Sequence, residues 1–150
     1  MNNLQKIMAY LCKNYPYKDE LSNARLTKMV YLADWYNVCS TGQQLTDIEW
    51  YFDNYGPFVH DVLITAGNTT GFQVVQTTTM YGTPKIVIGE DPENKLPEKI
   101  ALNDNTQKIL DKVIQNTKDL NWNQFISFVY HTPPIQQSNR YSTLEMNQFI

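Results

Sequence analysis

The spacing of the apolar residues constrains this chain more than any other feature. Apolar residues recur every three or four positions along most of the chain, which is the spacing of helices that bury one face. The stretch Phe72–Ile88 departs from this spacing, because it is rich in β-branched residues and poor in helix formers. We therefore expect a mainly helical α+β fold, with residues 1–150 forming a single compact domain of about five helices and one small β-hairpin.

Capping and breaking residues set the expected helix bounds. Asn and Ser accept hydrogen bonds from the free amides of a first turn, whereas Gly and the residue before Pro end helices. Pro57 suits the first turn of the third helix, with Phe58 and Val59 on its apolar face. The five expected helices begin near Asn3, Ser22, Pro57, Asn103 and Asn121. The first three end at Pro16, Gly42 and Gly67, and the fifth ends at His131-Thr132-Pro133-Pro134.

Two segments leave their conformation open. Residues 44–58 are rich in aromatics and are compatible with either an extended or a helical backbone. Residues 135–150 form a tail rich in Asn, Gln and Ser, which is either a docked irregular segment or a mobile end. Between the two expected strands, Tyr81-Gly82-Thr83 predicts the turn of the hairpin.

The charge balance excludes several classes of protein. The chain has 12 Lys and Arg residues, only two of them Arg, and a net charge of −3, so clustered cations for nucleic-acid binding are absent. No apolar run approaches the roughly 18 residues that span a bilayer, and the N-terminal residues lack a signal-peptide pattern. Cys12 and Cys39 form no CxxC pair, and we interpret both as reduced core thiols of a cytoplasmic protein.

The sequence offers little material for catalysis. The two histidines, His60 and His131, are far apart, and no metal-binding spacing, GxSxG elbow, Walker loop or GxGxxG motif occurs. We therefore predict no catalytic residue, metal or cofactor. The competing interpretation is a small hydrolase that uses His60 together with Asp61.

Aromatic residues are the stronger signal. One helix face cannot bury Trp50, Tyr51 and Phe52 together, so some of these rings are expected at the surface, where Tyr and Trp favour protein interfaces. The alternative is that they fill the core beside the hairpin. The predicted interface residues are Tyr51, Tyr55, Phe58, Tyr130, His131, Pro134 and Tyr141.

Several motifs, in the same order along the chain, resemble those of a known family. Residues 25–34, RLTKMVYLAD, are similar to the K-L-x-K-L-L-Y-x-A-D helix of the Panacea domain, the SocA-like and phage-associated GepA-like antitoxin domain. Gly42 followed by Leu45-Thr46-Asp47 resembles the family's G-x-x-L-T-D/G turn. Tyr55-Gly56-Pro57-Phe58-Val59 resembles its Y/H-G-P-V motif, and residues 122–134 are compatible with its last helix and T-P-P ending.

This resemblance implies a helical antitoxin of a bacterial or prophage toxin–antitoxin pair. Such a protein neutralises a cognate toxin, encoded by an adjacent gene, through direct contact. Family toxins include alarmone-synthetase-like enzymes that modify tRNA, and one branch acts as an adaptor that delivers its toxin to an AAA+ protease. The resemblance is compatible with either a homodimer or a hetero-oligomer with the toxin. A DNA-binding autoregulator is disfavoured, because Arg is scarce in this chain.

Overall fold

The computed structural model describes all 150 residues. The mainly helical α+β fold is confirmed, with six α-helices rather than about five and two small antiparallel sheets. The helices are α1 (Asn3–Asn14), α2 (Asn23–Thr41), α3 (Asp61–Asn68), α4 (Asp104–Thr117), α5 (Trp122–Tyr130) and α6 (Pro133–Gln136). The strands are β1 (Phe52–Asp53), β2 (Gly56–Pro57), β3 (Phe72–Thr78) and β4 (Pro84–Glu90), and two 3-10 turns span Lys18–Glu20 and Met146–Phe149.

Helix α2 lies at the centre of the fold and is buried on nearly all sides. Its N-cap Ser22 accepts a hydrogen bond from the Arg25 amide, and Gly42 ends it in the left-handed region at φ +82°. Tyr31, Leu32 and their neighbours belong to one hydrophobic cluster that extends from Ile7 to Met146. The polar residues of α2 are therefore enclosed by other elements.

Asp34 on α2 fixes the path of the segment that follows the helix. Its carboxylate accepts hydrogen bonds from the amides of Leu45 and Thr46 at 2.8 and 2.9 Å and from the Trp50 indole at 2.9 Å. The Thr46 hydroxyl donates a fourth at 2.5 Å, and Gln44 a fifth at 3.3 Å. Burial raises the pKa of Asp34 to about 6, while these hydrogen bonds oppose the shift.

Beyond Trp50 the ambiguous segment is extended, and one prediction about it is wrong. Pro57 does not begin a helix, because it pairs with Phe52 in the β1–β2 sheet and α3 begins only at Asp61. Gly56, at φ +105°, allows the reversal between the two strands. The Phe58 amide then donates to the Tyr51 carbonyl at 2.9 Å, which keeps Phe58 outside the helix.

The tail packs along the other side of β1. The Phe52 amide donates to the Ser142 carbonyl at 2.9 Å, and the Leu144 amide donates to the Trp50 carbonyl at 2.8 Å. Leu144 and Met146 are buried in the core. The segment that leads into the β1–β2 turn is thus held from both sides.

The β3–β4 hairpin is confirmed, with Phe72 opposite Glu90 and Thr78 opposite Pro84. Cys12 is buried as predicted, but Cys39 is exposed near the end of α2, where the helix runs out of the core. None of the helices has both the length and the apolar character needed to span a membrane.

Candidate partner-binding groove

An apolar groove opens between α2, α5 and the turn that joins β1 to β2. Its volume is about 630 Å³, which is within the range of cavities that accommodate ligand groups. The lining residues are Ala24 and Lys28 of α2, Asp53, Asn54, Tyr55 and Phe58 of the β1–β2 region, and Trp122, Asn123, Ile126 and Tyr130 of α5. We call this site the Lys28 groove.

Two buried side chains of α2 hold both ends of α5 and so set the walls of the Lys28 groove. At one end the Arg25 guanidinium donates to the carbonyls of Thr117 and Leu120 at 2.7 and 3.0 Å and lies 4.4 Å from the centre of the Phe125 ring. At the other end the hydroxyls of Tyr31 and Thr132 are 2.8 Å apart. These contacts position α5 beside α2 without filling the space between them.

Lys28 lies at the bottom of the groove. Its side chain is only 2% exposed, and its ammonium forms no ion pair within 4.0 Å and no hydrogen bond within the chain. The ammonium lies 5.5 Å from the centre of the Phe58 ring. Burial lowers the pKa of Lys28 from 10.5 to about 8, and the charge of Asp53 opposes this shift.

The wall opposite α2 depends on a glycine. A Cβ placed on Gly56 would lie 3.3 Å from Cε1 of Tyr130 and 3.7 Å from Cε of Lys28. The absence of a side chain at this position therefore lets the turn approach both residues closely. Tyr55, 76% exposed, and Trp122, 45% exposed, stand at the rim of the groove.

Three of the predicted interface residues meet in this groove, namely Tyr55, Phe58 and Tyr130. Tyr141 lies beside it, since its hydroxyl donates to Oδ1 of Asn54 at 2.5 Å. The Tyr141 backbone is in the left-handed region at φ 68°, and its amide donates to the Phe52 carbonyl. Tyr141 therefore helps to support the β1–β2 turn.

The other three predicted residues lie outside the groove. Tyr51 is exposed and forms a backbone bridge with Thr143. His131 is exposed at the end of α5, with its Nδ1 2.6 Å from the Ser127 carbonyl. Pro134 is buried in α6, so its ring is not available at the surface.

Sequence reasoning missed Lys28, Trp122 and Ile126 as groove residues. Trp122 and Ile126 share helical spacing with Phe125 and Val129, yet of these four residues only Phe125 and Val129 are buried. A signal for Lys28 was present, because it stands one helical turn from Ala24 and from Leu32 on a second apolar side of α2. A lysine in such a stripe is expected to be enclosed.

The residues of the hydrolase alternative do not form a cluster. His60 and Asp61 are exposed at the start of α3, and the His60 ring packs edge-on to Phe58 with the ring centres 5.3 Å apart. His131 lies at the end of a different helix. No group of three His, Cys, Asp or Glu side chains is arranged to hold a metal ion.

Comparison with known proteins identifies the class. Residues 26–134 match the model of the family described as antitoxin SocA-like, Panacea domain, and the chain therefore belongs to this family. Neither the curated proteins nor the solved structures contain a match. Every residue that lines the Lys28 groove except Ala24 falls within the matched range.

The family motifs acquire physical roles in this structure. The final Asp of the helix motif, Asp34, binds the L-T turn, while Tyr31 of the same motif contacts Thr132 of the T-P-P ending. The Y-G-P motif and Lys28 meet in the groove. Membership in the family implies a toxin partner in general.

Proposed function

We propose that this chain is an antitoxin that neutralises a protein toxin by direct, stoichiometric contact, and that the Lys28 groove is its main contact surface. The observation that carries the proposal is the convergence of family-motif residues on an open, aromatic groove rather than on a catalytic cluster. Large aromatic side chains around a central pocket are typical of the residues that contribute most to protein association. We further propose that residues 1–150 act as one domain in the bacterial cytoplasm.

The partner is proposed to be a toxin encoded by the adjacent gene. Co-expression of the two genes tests this proposal, because the antitoxin should restore growth that the toxin alone arrests. The two purified proteins should also elute together. If growth stays arrested and no complex forms with the neighbouring gene product, the proposed partner is wrong.

The location of the contact surface is tested with two tyrosines of similar exposure. Tyr55→Ala removes a ring from the rim of the Lys28 groove, whereas Tyr81→Ala removes a ring that is 87% exposed at the tip of the β3–β4 hairpin. We expect Tyr55→Ala and Trp122→Ala to weaken toxin binding by about tenfold or more, and Tyr81→Ala to leave it unchanged. Equal affinity for all of these variants would remove the groove from the proposal.

A second pair of variants tests the proposal that no catalysis is involved. His60→Ala and His131→Ala remove the two side chains that a small hydrolase would use. Neutralisation should survive both substitutions, since neither His60 nor His131 lines the groove. Loss of neutralisation in a folded variant that still binds the toxin would favour the enzyme alternative.

A further inference from the structure

The ammonium of Lys28 forms no ion pair within the chain. A buried cation is normally paired with a carboxylate or satisfied by several acceptors, because the loss of its hydration is costly. Lys28 has neither within the chain: its ammonium lies 5.5 Å from the centre of the Phe58 ring, and the charge of Asp53 acts on it only from beyond 4.0 Å. It is the one ammonium that lines the groove, and the nitrogen is not sealed off from it.

The single carboxylate of the groove does not satisfy this charge. Asp53 stands on the wall, and its Oδ1 accepts the amide of the following residue, Asn54, at 2.9 Å. It is half-buried and lies beyond ion-pair distance of Lys28. A second cation, Arg140, donates to the Asn54 carbonyl at 3.1 Å just outside the groove. The uncompensated charge of this region is therefore positive.

We propose, as a deepening of the proposed function, that the Lys28 groove recognises a segment of the toxin in which an Asp or Glu side chain stands next to an apolar side chain. The carboxylate pairs with the Lys28 ammonium at the bottom of the groove, and the apolar side chain packs on Phe58, Ile126 and Trp122. Burial of the pair strengthens its attraction relative to an exposed pair.

The first arm of the test uses the complex with the toxin. Lys28→Met keeps an unbranched apolar stem of four heavy atoms and removes the charged nitrogen at its end. Lys108→Met makes the same change at an exposed position of α4, away from the groove. We expect Lys28→Met to weaken binding by about thirtyfold or more, as the loss of one partner of a buried charge pair does, and Lys108→Met to bind like the wild type.

This arm separates the two proposals. If the wild type binds the toxin and Lys28→Met binds equally well, the inference about the acidic segment is wrong and the antitoxin function stands. If the wild type binds no toxin, the proposed partner fails, and the inference is judged by the second arm alone. Circular dichroism of Lys28→Met and of a second variant, Lys28→Gln, shows whether the fold is retained.

The second arm needs no toxin. The capped dipeptides acetyl-Phe-Glu-amide and acetyl-Phe-Gln-amide differ only in the charge of one side chain, and NMR shifts of the groove residues report their binding. We expect the Glu peptide to shift the signals of Phe58 and Trp122 at millimolar concentration, and the Gln peptide and the Lys28→Met protein to show no such shift. Equal shifts for the two peptides, no shift for either, or wild-type shifts in Lys28→Met would each overturn the proposal.

The pH dependence of the Glu peptide gives a further readout. Because the pKa of Lys28 is about 8, binding should weaken as the pH rises from 7 to above 8 and the ammonium loses its proton. The other ionisable groups that face this region are Asp53, Tyr55, Tyr130 and Arg140. A pH dependence that persists in Lys28→Met would assign the effect to one of them and contradict the role of Lys28.

Discussion

The Lys28 groove and the β3–β4 hairpin are joined to the rest of the chain in different ways. The groove is held by buried side chains that connect residues far apart in sequence, such as Arg25 and Thr117, 92 positions apart, and Tyr31 and Thr132, 101 positions apart. The hairpin is held by its own backbone pairing and by contacts of β4, such as the hydrogen bond from the Ile88 amide to the Leu21 carbonyl at 2.9 Å. Only its base, at Phe72 and Ile88, is buried.

This difference indicates which substitutions the fold tolerates without loss of stability. A substitution among the buried polar residues of α2 leaves a donor or an acceptor without a partner inside the core, which costs more than the loss of one hydrogen bond. A substitution on the exposed strand β3 or at the tip of the hairpin exchanges one solvated side chain for another. We therefore expect stability and toxin binding to respond strongly to the first region and weakly to the second.

The largest effect is expected from Asp34→Ala. It removes the acceptor of five hydrogen bonds and leaves the Trp50 indole and the Thr46 amide without partners in the core. We expect the free energy of unfolding to fall by about 3–5 kcal/mol, measured by urea denaturation. Thr77→Ala on the exposed strand β3 is the control, and a similar loss in both variants would contradict the proposed difference between the regions.

Lys28→Met is expected to raise stability although it weakens binding. The fall of the Lys28 pKa from 10.5 to about 8 corresponds to a cost of roughly 3 kcal/mol for the buried ammonium. The unfolded chain binds this proton more tightly, so wild-type stability should rise as the pH increases from about 8 to 10.5. The cost applies in full below pH 8.

Urea denaturation at several pH values measures this gain. Lys28→Met should exceed the wild type by about 3 kcal/mol at pH 7, and the difference should shrink toward zero above pH 10. Lys108→Met provides the matched control, with no expected gain. If Lys28→Met is no more stable than the wild type at pH 7, burial of the ammonium does not carry the free-energy cost that we infer.

A smaller effect is expected from Tyr31→Phe, which removes one hydrogen bond between α2 and the end of α5. The Thr132 hydroxyl donates to the Val129 carbonyl at 2.6 Å, so the Tyr31 hydroxyl is the donor of the pair. Its loss should lower the free energy of unfolding by about 1 kcal/mol. In the Thr132→Val background the same substitution should cost less, and an equal cost in both backgrounds would show that the two hydroxyls are not coupled.

The contrast between local and long-range contacts also explains which features could be predicted from the sequence. The caps at Ser22 and Gly42 and the turn around Gly82 depend on neighbouring residues, and all three were found where the residue types indicated. The prediction that Pro57 begins a helix was wrong. The local preference of proline for a first helical turn is outweighed by the pairing of Pro57 with Phe52, and the tail in turn hydrogen-bonds to Phe52. Tyr55, Phe58 and Tyr130 were selected as exposed aromatics, but their convergence on Lys28 depends on how α5 docks against α2, which no local pattern encodes.

The smallest effect is expected from Tyr81→Ala at the tip of the hairpin. Tyr81 and its neighbour Met80 are 87% and 90% exposed, and the Tyr81 side chain makes no hydrogen bond. We expect the free energy of unfolding to change by less than about 0.5 kcal/mol, because surface substitutions away from packed or hydrogen-bonded groups rarely do more. Binding of the toxin should also be unchanged, measured beside Tyr55→Ala. A loss of toxin affinity in Tyr81→Ala with unchanged stability would mean that the exposed tip contacts the toxin, and the contact surface would then have to include the hairpin as well as the groove.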